Sequence, residues 1–123
     1  MATIDVTQDR VRIHLSALEQ AGAMHGDLSV PIDNIAAVTA HTDLWENLRG
    51  MRAPGTGIPG VIMLGTTRSK GAKDFCAVYG HKPGLLLETR DFEFARVLVS
   101  CPVEESEQTA AKINAMVMGE PKV

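Results

Sequence analysis

Short segments in which apolar and polar residues alternate recur along most of this chain. In residues 11–15, three apolar side chains (Val11, Ile13 and Leu15) are separated by two polar ones. Because successive side chains of a β-strand point to opposite faces, this period of two predicts a strand with one buried face. The predicted strands are residues 4–6, 11–15, 28–32, 38–42, 61–66, 75–79, 85–87 and 95–99. Seven or eight short strands at this spacing predict an antiparallel sandwich or barrel.

Two helices are predicted among these strands. Ser16 and Glu19 have the spacing of a capping box, in which each side chain accepts a hydrogen bond from the other residue's backbone, and the glycines that follow limit this helix to about two turns. A second helix is predicted at 102–118, because Pro102 suits the first helical turn and apolar residues then recur at steps of three and four. Such a helix must bury its apolar stripe on the sheet or across a barrel mouth. The expected fold class is therefore mainly β (α+β), with a short N-terminal helix and a C-terminal capping helix.

The composition predicts a single globular domain at 1–123, with 119–123 as a tail. The formal net charge of −3 argues against a dedicated nucleic-acid-binding domain, because such domains are usually basic. No run of about eighteen apolar residues occurs, so no transmembrane segment is expected, and the N-terminus lacks the features of a secretory signal. The two cysteines, Cys76 and Cys101, form neither a CxxC pair nor a disulfide framework. We therefore expect reduced thiols in a cytoplasmic protein.

Basic residues are concentrated in one part of this acidic chain. Between Arg49 and Lys82 there are six Lys or Arg residues and one acid, Asp74, whereas the rest of the chain has six bases and fourteen acids. Such basic side chains could bind phosphate, as point charges or through the guanidinium fork of arginine. They could equally be solvated charges that keep a strand edge from pairing. The candidate anion-binding residues are Arg68, Lys70 and Lys73 at a predicted hairpin tip, with Arg49 and Arg52 upstream.

Residues 52–60 (Arg-Ala-Pro-Gly-Thr-Gly-Ile-Pro-Gly) predict a rigid irregular loop, because the glycines favour positive φ and the prolines remove backbone donors. A nucleotide-binding loop would lead into a helix N-terminus, but here a predicted strand follows. The functional interpretation that remains for residues 52–60 is a recognition loop, because irregular segments often carry function. The interface candidates in and before this loop are Trp45, Leu48 and Ile58, with a core position as the other interpretation of Trp45.

Several segments resemble small bacterial proteins of the pleckstrin-homology (PH) superfold. They are Val30-Pro31-Ile32, the 52–60 segment, Lys73-Asp74-Phe75, and the strand 96–100 that leads into the proline-started helix. The resemblance covers nearly the whole chain and implies about seven antiparallel strands closed by a C-terminal helix. One departure is Cys101, which stands where an aspartate would be expected before Pro102. The resemblance implies no established activity, and a fold alone does not define a function.

Few residues have the arrangement that catalysis requires. The four histidines are scattered, and neither a nucleophile motif nor an isolated pair of carboxylates is present. We therefore predict no catalytic residue, no metal ligand and no cofactor. The leading prediction is a non-catalytic module that associates with a protein partner, including a second copy of itself. The alternatives are binding of an anionic ligand or anionic membrane surface through residues 68–73, and a small enzyme or carrier with a pocket between sheet and helix.

Overall fold

The computed structural model describes residues 2–49, 51–58 and 60–117, and for residues 51–56 it describes the backbone alone. Within these ranges the chain forms nine strands and two α-helices. In chain order they are β1 (Thr3–Val6), β2 (Arg10–His14), α1 (Ala17–Ala23), β3 (Leu28–Pro31), β4 (Ile35–His41), β5 (Met51–Ile58), β6 (Ile62–Ser69), β7 (Ala72–Val78), β8 (Gly84–Thr89), β9 (Arg96–Ser100) and α2 (Val103–Val117). Short 3₁₀ helices at Ile32–Asn34 and Leu44–Asn47 flank β4. The mainly β class and both predicted helices are confirmed.

The strands of the described residues form two sheets and do not close into a barrel. The first sheet has the order β1-β2-β3, and the second has the order β4-β8-β9-β7-β6-β5. Neighbouring strands are antiparallel, as predicted, except for β7 and β9, which run parallel. The exception has a topological cause: β9 lies between β7 and β8, which run in opposite directions. A strand inserted between two opposed strands must be parallel to one of them.

The edge strand β5 corrects the prediction of an irregular loop at residues 52–60. Its pairing with β6 is interrupted between Arg52 and Gly55, where the register shifts. Pro54 falls in this interruption, so its missing N–H removes no bond from the ladder. A terminal strand of a sheet has one paired side only, which is why prolines are tolerated there. Of the remaining predicted loop, Gly60 has a φ of 74°, and Pro59 lies outside the described residues.

A main apolar core joins both sheets to α2. Its members are 7% exposed or less, and the largest of them include Val11, Ile13, Val30, Ile35, Val38, Phe75, Leu85, Leu87 and Ile113. A second cluster covers the opposite face of the six-stranded sheet and contains Leu44, Cys76, Val78, Leu86 and Leu98. Consecutive residues of β7 therefore point into different clusters, as a pleated strand requires. Strands β7, β8 and β9, in the middle of the six-stranded sheet, are therefore buried on both faces.

Helix α2 covers the free edge of β4. The side-chain amide of Asn114 donates to the Val38 carbonyl at 2.6 Å and accepts from the Val38 N–H at 3.0 Å. These two bonds take the place of the bonds that a neighbouring strand would make to Val38. Val38 itself is only 2% exposed. The predicted packing of the C-terminal helix against the β-structure is confirmed, with the helix beginning at Val103 rather than Pro102; residues 118–123 lie outside the described part. Through Asn114, α2 also prevents strand pairing at this edge.

Replacing Asn114 by alanine should lower the free energy of unfolding by about 1–3 kcal/mol, because both main-chain groups of Val38 would lose their partner in a buried setting. Urea denaturation measures the change. The matched control is Lys112→Ala on an exposed position of the same helix, which should change stability by less than about 0.5 kcal/mol. Equal stability of the two variants would show that the Asn114 amide does not protect this edge.

Candidate binding groove

Helix α1 is short, and a capping box fixes its first turn. The Ser16 hydroxyl accepts from the Glu19 N–H at 3.2 Å, and the Glu19 carboxylate accepts from the Ser16 N–H at 2.9 Å. At the other end, Met24 adopts the left-handed conformation with a φ of 55° and donates its N–H back to Ala21. The predicted two-turn helix is therefore confirmed, with Met24 in the terminating position that glycine usually takes.

A buried carboxylate connects α1 to the six-stranded sheet. Glu19 is 3% exposed, and it accepts a hydrogen bond from the hydroxyl of Tyr79, the residue that follows β7. Burial raises the pKa of Glu19, but the hydrogen bonds from Tyr79 and Ser16 outweigh it and leave the pKa below the ordinary 4.5. Burial, together with the bond to this carboxylate, raises the pKa of the Tyr79 hydroxyl. Near neutral pH the pair is therefore a carboxylate held by a neutral phenol.

An apolar groove lies beside this pair, between α1 and β6. It encloses about 480 Å³, a volume typical of sites that accept a ligand or the side chains of a partner. Its lining consists of Leu18, Glu19, Ala21, Gly22, Ile62, Leu64 and Tyr79. Apart from Glu19 and Tyr79 the lining side chains are aliphatic, so the groove suits apolar groups.

Apolar side chains continue from the groove onto the open surface. Leu18, which lines the groove, is 83% exposed, and Ile58 and Val61 at the turn between β5 and β6 are 52% and 58% exposed. Ile58 pairs directly with Ile62. Because directly paired residues project from the same face of a sheet, Ile58 lies on the side that lines the groove. We call the groove together with Leu18, Ile58 and Val61 the groove surface.

Two of the predicted anion-binding residues are exposed at the β6–β7 turn. Lys70 and Gly71 form this two-residue turn with φ values of 47° and 82°, as in a type I′ hairpin. Arg68 and Lys70 are exposed there, whereas Lys73 is partly buried and its Nζ lies 5.2 Å from the centre of the Phe94 ring. The hairpin tip is confirmed. Lys73 pairs directly with Arg68 across the hairpin, so the two side chains project from the same face, and the Lys73 ammonium group also contacts the Phe94 ring.

Arg49 is engaged in an ion pair within the protein. Its guanidinium donates to both carboxylate oxygens of Asp74, at 2.8 and 3.1 Å. Asp74 is 2% exposed and accepts two further bonds from Arg96, at 3.0 and 2.9 Å. Arg49 thus shares the one acid of the basic segment with Arg96. The side chain of Arg52 lies outside the described residues. Of the other four predicted cations, Arg49 is engaged with Asp74 and therefore does not extend freely toward the β6–β7 turn.

The three predicted interface residues lie in different environments. Trp45 and Leu48 are partly buried against the second apolar cluster, and the Trp45 ring lies 5.9 Å from the ring of His81. Ile58 is exposed on the groove surface. Only Ile58 is therefore placed where a partner could meet the apolar groove.

A group of potential metal ligands was not predicted from the sequence. Asp43, Glu46 and His81 bring one ligand atom each within 4.8 Å of one another. In the sequence, only the three-residue spacing of Asp43 and Glu46 indicates such a group, because His81 is 38 positions from Asp43. The groove was hidden for the same reason: Glu19 and Tyr79 are 60 positions apart.

The two cysteines are free and buried, as expected. Burial raises the pKa of Cys76 to about 12 and that of Cys101 to about 11. Since the thiolate is the reactive form, neither residue is suited to act as a nucleophile near neutral pH.

Comparisons of the chain with protein-family models, curated proteins and solved structures gave no match. The resemblance to bacterial PH-like proteins therefore stays a prediction. Among the residues that the structure describes, no helix is both long enough and apolar enough to span a bilayer.

The Tyr79→Phe variant tests the connection between α1 and the sheet. Losing the hydroxyl should lower the free energy of unfolding by about 1–3 kcal/mol at neutral pH, since a charged acceptor loses a donor. Folding lowers the pKa of Glu19 below 4.5, so the charged carboxylate adds to the free energy of unfolding above pH 4.5. This contribution is lost as the pH falls through the folded-state pKa. The difference between wild type and variant should therefore shrink between about pH 7 and about pH 3, as measured by urea denaturation.

Glu19→Gln supplies the control for this experiment. In that background the carboxylate is absent, so Tyr79→Phe should cost less than it does in the wild type. Strictly additive effects of the two substitutions, or a Tyr79→Phe effect that does not vary with pH, would contradict the proposed coupling.

Proposed function

We propose that this protein is a non-catalytic binding module that associates with a second copy of itself through the groove surface. The observation that carries the proposal is an apolar groove lined by the exposed Leu18, with the exposed Ile58 on the same side of the sheet and the exposed Val61 at the adjoining turn. Contiguous apolar surface of this kind marks interaction sites in proteins. The proposal keeps Ile58 as an interface residue and adds residues of α1.

The extent of the apolar surface favours a protein partner over a small molecule. A ligand confined to the groove would leave Ile58, Val61 and the outer side of Leu18 in contact with water. Covering them as well contributes about 25 cal/mol for each Å² of apolar surface removed from water. A protein surface can cover the groove and these side chains together, which supports association over the alternative of a small carrier or enzyme.

The polar groups of the groove are compatible with an apolar occupant. Glu19 and Tyr79 bond to each other, and Glu19 also accepts from Ser16. Covering them with apolar atoms therefore leaves neither without a hydrogen-bond partner, which would otherwise cost about 1–3 kcal/mol. The groove can be buried in a complex without any matching polar group on the partner.

The shape of the surface favours a second copy of this chain. A two-fold symmetric contact uses the same patch on both subunits, so the patch must be complementary to itself. The groove surface combines a recess between α1 and β6 with an exposed apolar turn. Ile58 and Val61 form this turn at the end of the β5–β6 hairpin. In a two-fold arrangement the turn of each subunit can pack into the recess of the other.

Anionic-ligand binding at the β6–β7 turn is the second candidate, and the exposure of Arg68 and Lys70 there supports it. It has less support than self-association, because Lys73 and Arg49 are engaged with Phe94 and Asp74. We also propose that the chain is a single PH-like domain of the bacterial kind that acts in the cytoplasm. Support comes from the helix packed against the β-structure and from the two free, buried thiols.

The combined variant Leu18→Glu and Val61→Glu tests the proposed interface. Each substitution would place a charge in a desolvated apolar contact without a partner, which is strongly unfavourable. Light scattering coupled to gel filtration should give the mass of a dimer for the wild type and that of a monomer for the variant. Both positions are more than half exposed, so circular dichroism should show the same folded structure.

Val103→Glu is the matched control, since it makes the same chemical change at an exposed apolar residue of α2, outside the groove surface. This variant should remain a dimer. Self-association would be contradicted if the wild type were still monomeric at a protein concentration about 100 times a micromolar dissociation constant. A dimer that persists in the Leu18→Glu and Val61→Glu variant would contradict the location of the interface.

A further inference from the structure

Asp43, Glu46 and His81 form a cluster on the surface, separate from the groove. The Nδ1 atom of His81 lies 2.8 Å from Asp43 Oδ2 and 3.9 Å from Glu46 Oε1. The side chains of Asp43 and His81 are 37% and 50% exposed, and that of Glu46 is 72% exposed. The cluster is therefore open to ions from solution and combines one imidazole with two carboxylates.

The backbone holds the two segments that carry these side chains together. Asp43 caps the 3₁₀ helix Leu44–Asn47 by accepting from the Glu46 N–H at 3.4 Å through Oδ1. Leu44 is fully buried, and its N–H donates to the Lys82 carbonyl at 2.9 Å, next to His81. The backbone segments that carry the potential ligands are thus held together before any ion binds, which lowers the cost of assembling a site.

The packing beneath the cluster allows little displacement of these segments. A Cβ atom at Gly84 would lie 2.6 Å from the Leu44 side chain and 2.4 Å from the Val99 carbonyl. The start of β8 therefore sits in close contact with the 3₁₀ helix.

The distances suit a tetrahedral metal ion. Zinc bonds to histidine nitrogen and carboxylate oxygen are about 2.0–2.2 Å long, so two ligands of a tetrahedral ion are about 3.3–3.5 Å apart. The observed separations of 2.8 and 3.9 Å fall on either side of this value. All three ligand atoms lie within 4.8 Å of one another. Rotation of the exposed side chains would bring them to tetrahedral spacing, with the fourth site left for water.

We propose that Asp43, Glu46 and His81 bind a divalent transition-metal ion of the zinc type. Imidazole is a preferred ligand of such ions, whereas magnesium and calcium prefer sites made of oxygen alone. The ion joins the 3₁₀ helix to the β7–β8 connection. The site does not involve the groove surface, so the proposal stands or falls independently of self-association.

Calorimetric titration with Zn²⁺ tests the site. The wild type should bind one ion per chain, and His81→Gln and Glu46→Gln should each bind it at least about tenfold more weakly. That bound follows because even residues behind a metal ligand typically contribute about 10- to 100-fold to affinity. Mg²⁺ should give no comparable binding. Since the replaced side chains are exposed, circular dichroism should be unchanged in both variants.

His14→Gln is the matched control, because the His14 Nδ1 atom also lies beside a carboxylate, that of Asp27, at 3.2 Å. In the described residues, no group of three potential ligands includes His14. This variant should bind Zn²⁺ like the wild type. A wild type that binds no Zn²⁺ would overturn the proposal, as would equal affinity in His81→Gln or Glu46→Gln, or an equal loss in His14→Gln.

Trp45 supplies a second readout that reports on location. It is the only tryptophan of the chain, and its ring lies 5.9 Å from the His81 ring. Cu²⁺, a fluorescence-quenching ion that binds imidazole sites tightly, should quench the emission of the wild type and of His14→Gln at the same concentration. Unchanged quenching in His81→Gln would place the ion elsewhere and overturn the proposal.

Discussion

The bond between the Tyr79 hydroxyl and the Glu19 carboxylate holds α1 over the six-stranded sheet, and the groove depends on it. A helix of two turns is marginal on its own, because helices shorter than about 12 residues gain too little from propagation to offset nucleation. Two residues of α1 are buried, Ala23 in the main core and Glu19 under Tyr79. With these two residues turned inward, Leu18 is left on the outer side of the helix. The same contacts that fix α1 therefore create the exposed apolar surface.

In the basic segment, too, an interaction between charged residues holds parts of the fold together. Asp74 lies at the parallel contact of β7 and β9, where it pairs with Arg96 of the neighbouring strand. Arg49, shortly before β5 begins, donates to the same carboxylate. A buried carboxylate requires such partners, because an unpaired charge in an apolar interior is strongly unfavourable. Part of the charge asymmetry of the sequence thus reflects the internal joining of strands.

The sequence predicted those features that depend on neighbouring residues. Alternation gave the strands, the Ser16–Glu19 spacing gave α1, and a period of three to four gave α2. The strand at β5 was missed because Gly55, Gly57 and Pro54 favour loops, and pairing with β6 overrides that local preference. The parallel contact of β7 and β9 was missed because strand order is a property of the whole sheet.

The candidate sites show the same division. Glu19 was predicted as a capping residue, which is a local role, whereas its bond to Tyr79 joins positions far apart in the chain. Asp43 and His81 likewise meet only after β4, β7 and β8 have assembled. Ile58 was predicted as an interface residue from a loop that proved to be a strand, and its pairing with Ile62 places it on the side of the sheet that lines the groove. Residue type indicated what these side chains could do, but the fold decided which of them meet.

A dilution series of ¹H–¹⁵N correlation spectra would test the central claim, that the groove surface is where two copies associate. The amide shifts of α1 and of Ile58, Val61 and Ile62 should change with protein concentration, because these residues belong to the groove surface. Amides of β1 and β2, which lie outside the groove surface, should keep their shifts. Spectra that do not vary with concentration, or changes centred on the three-stranded sheet, would contradict the account.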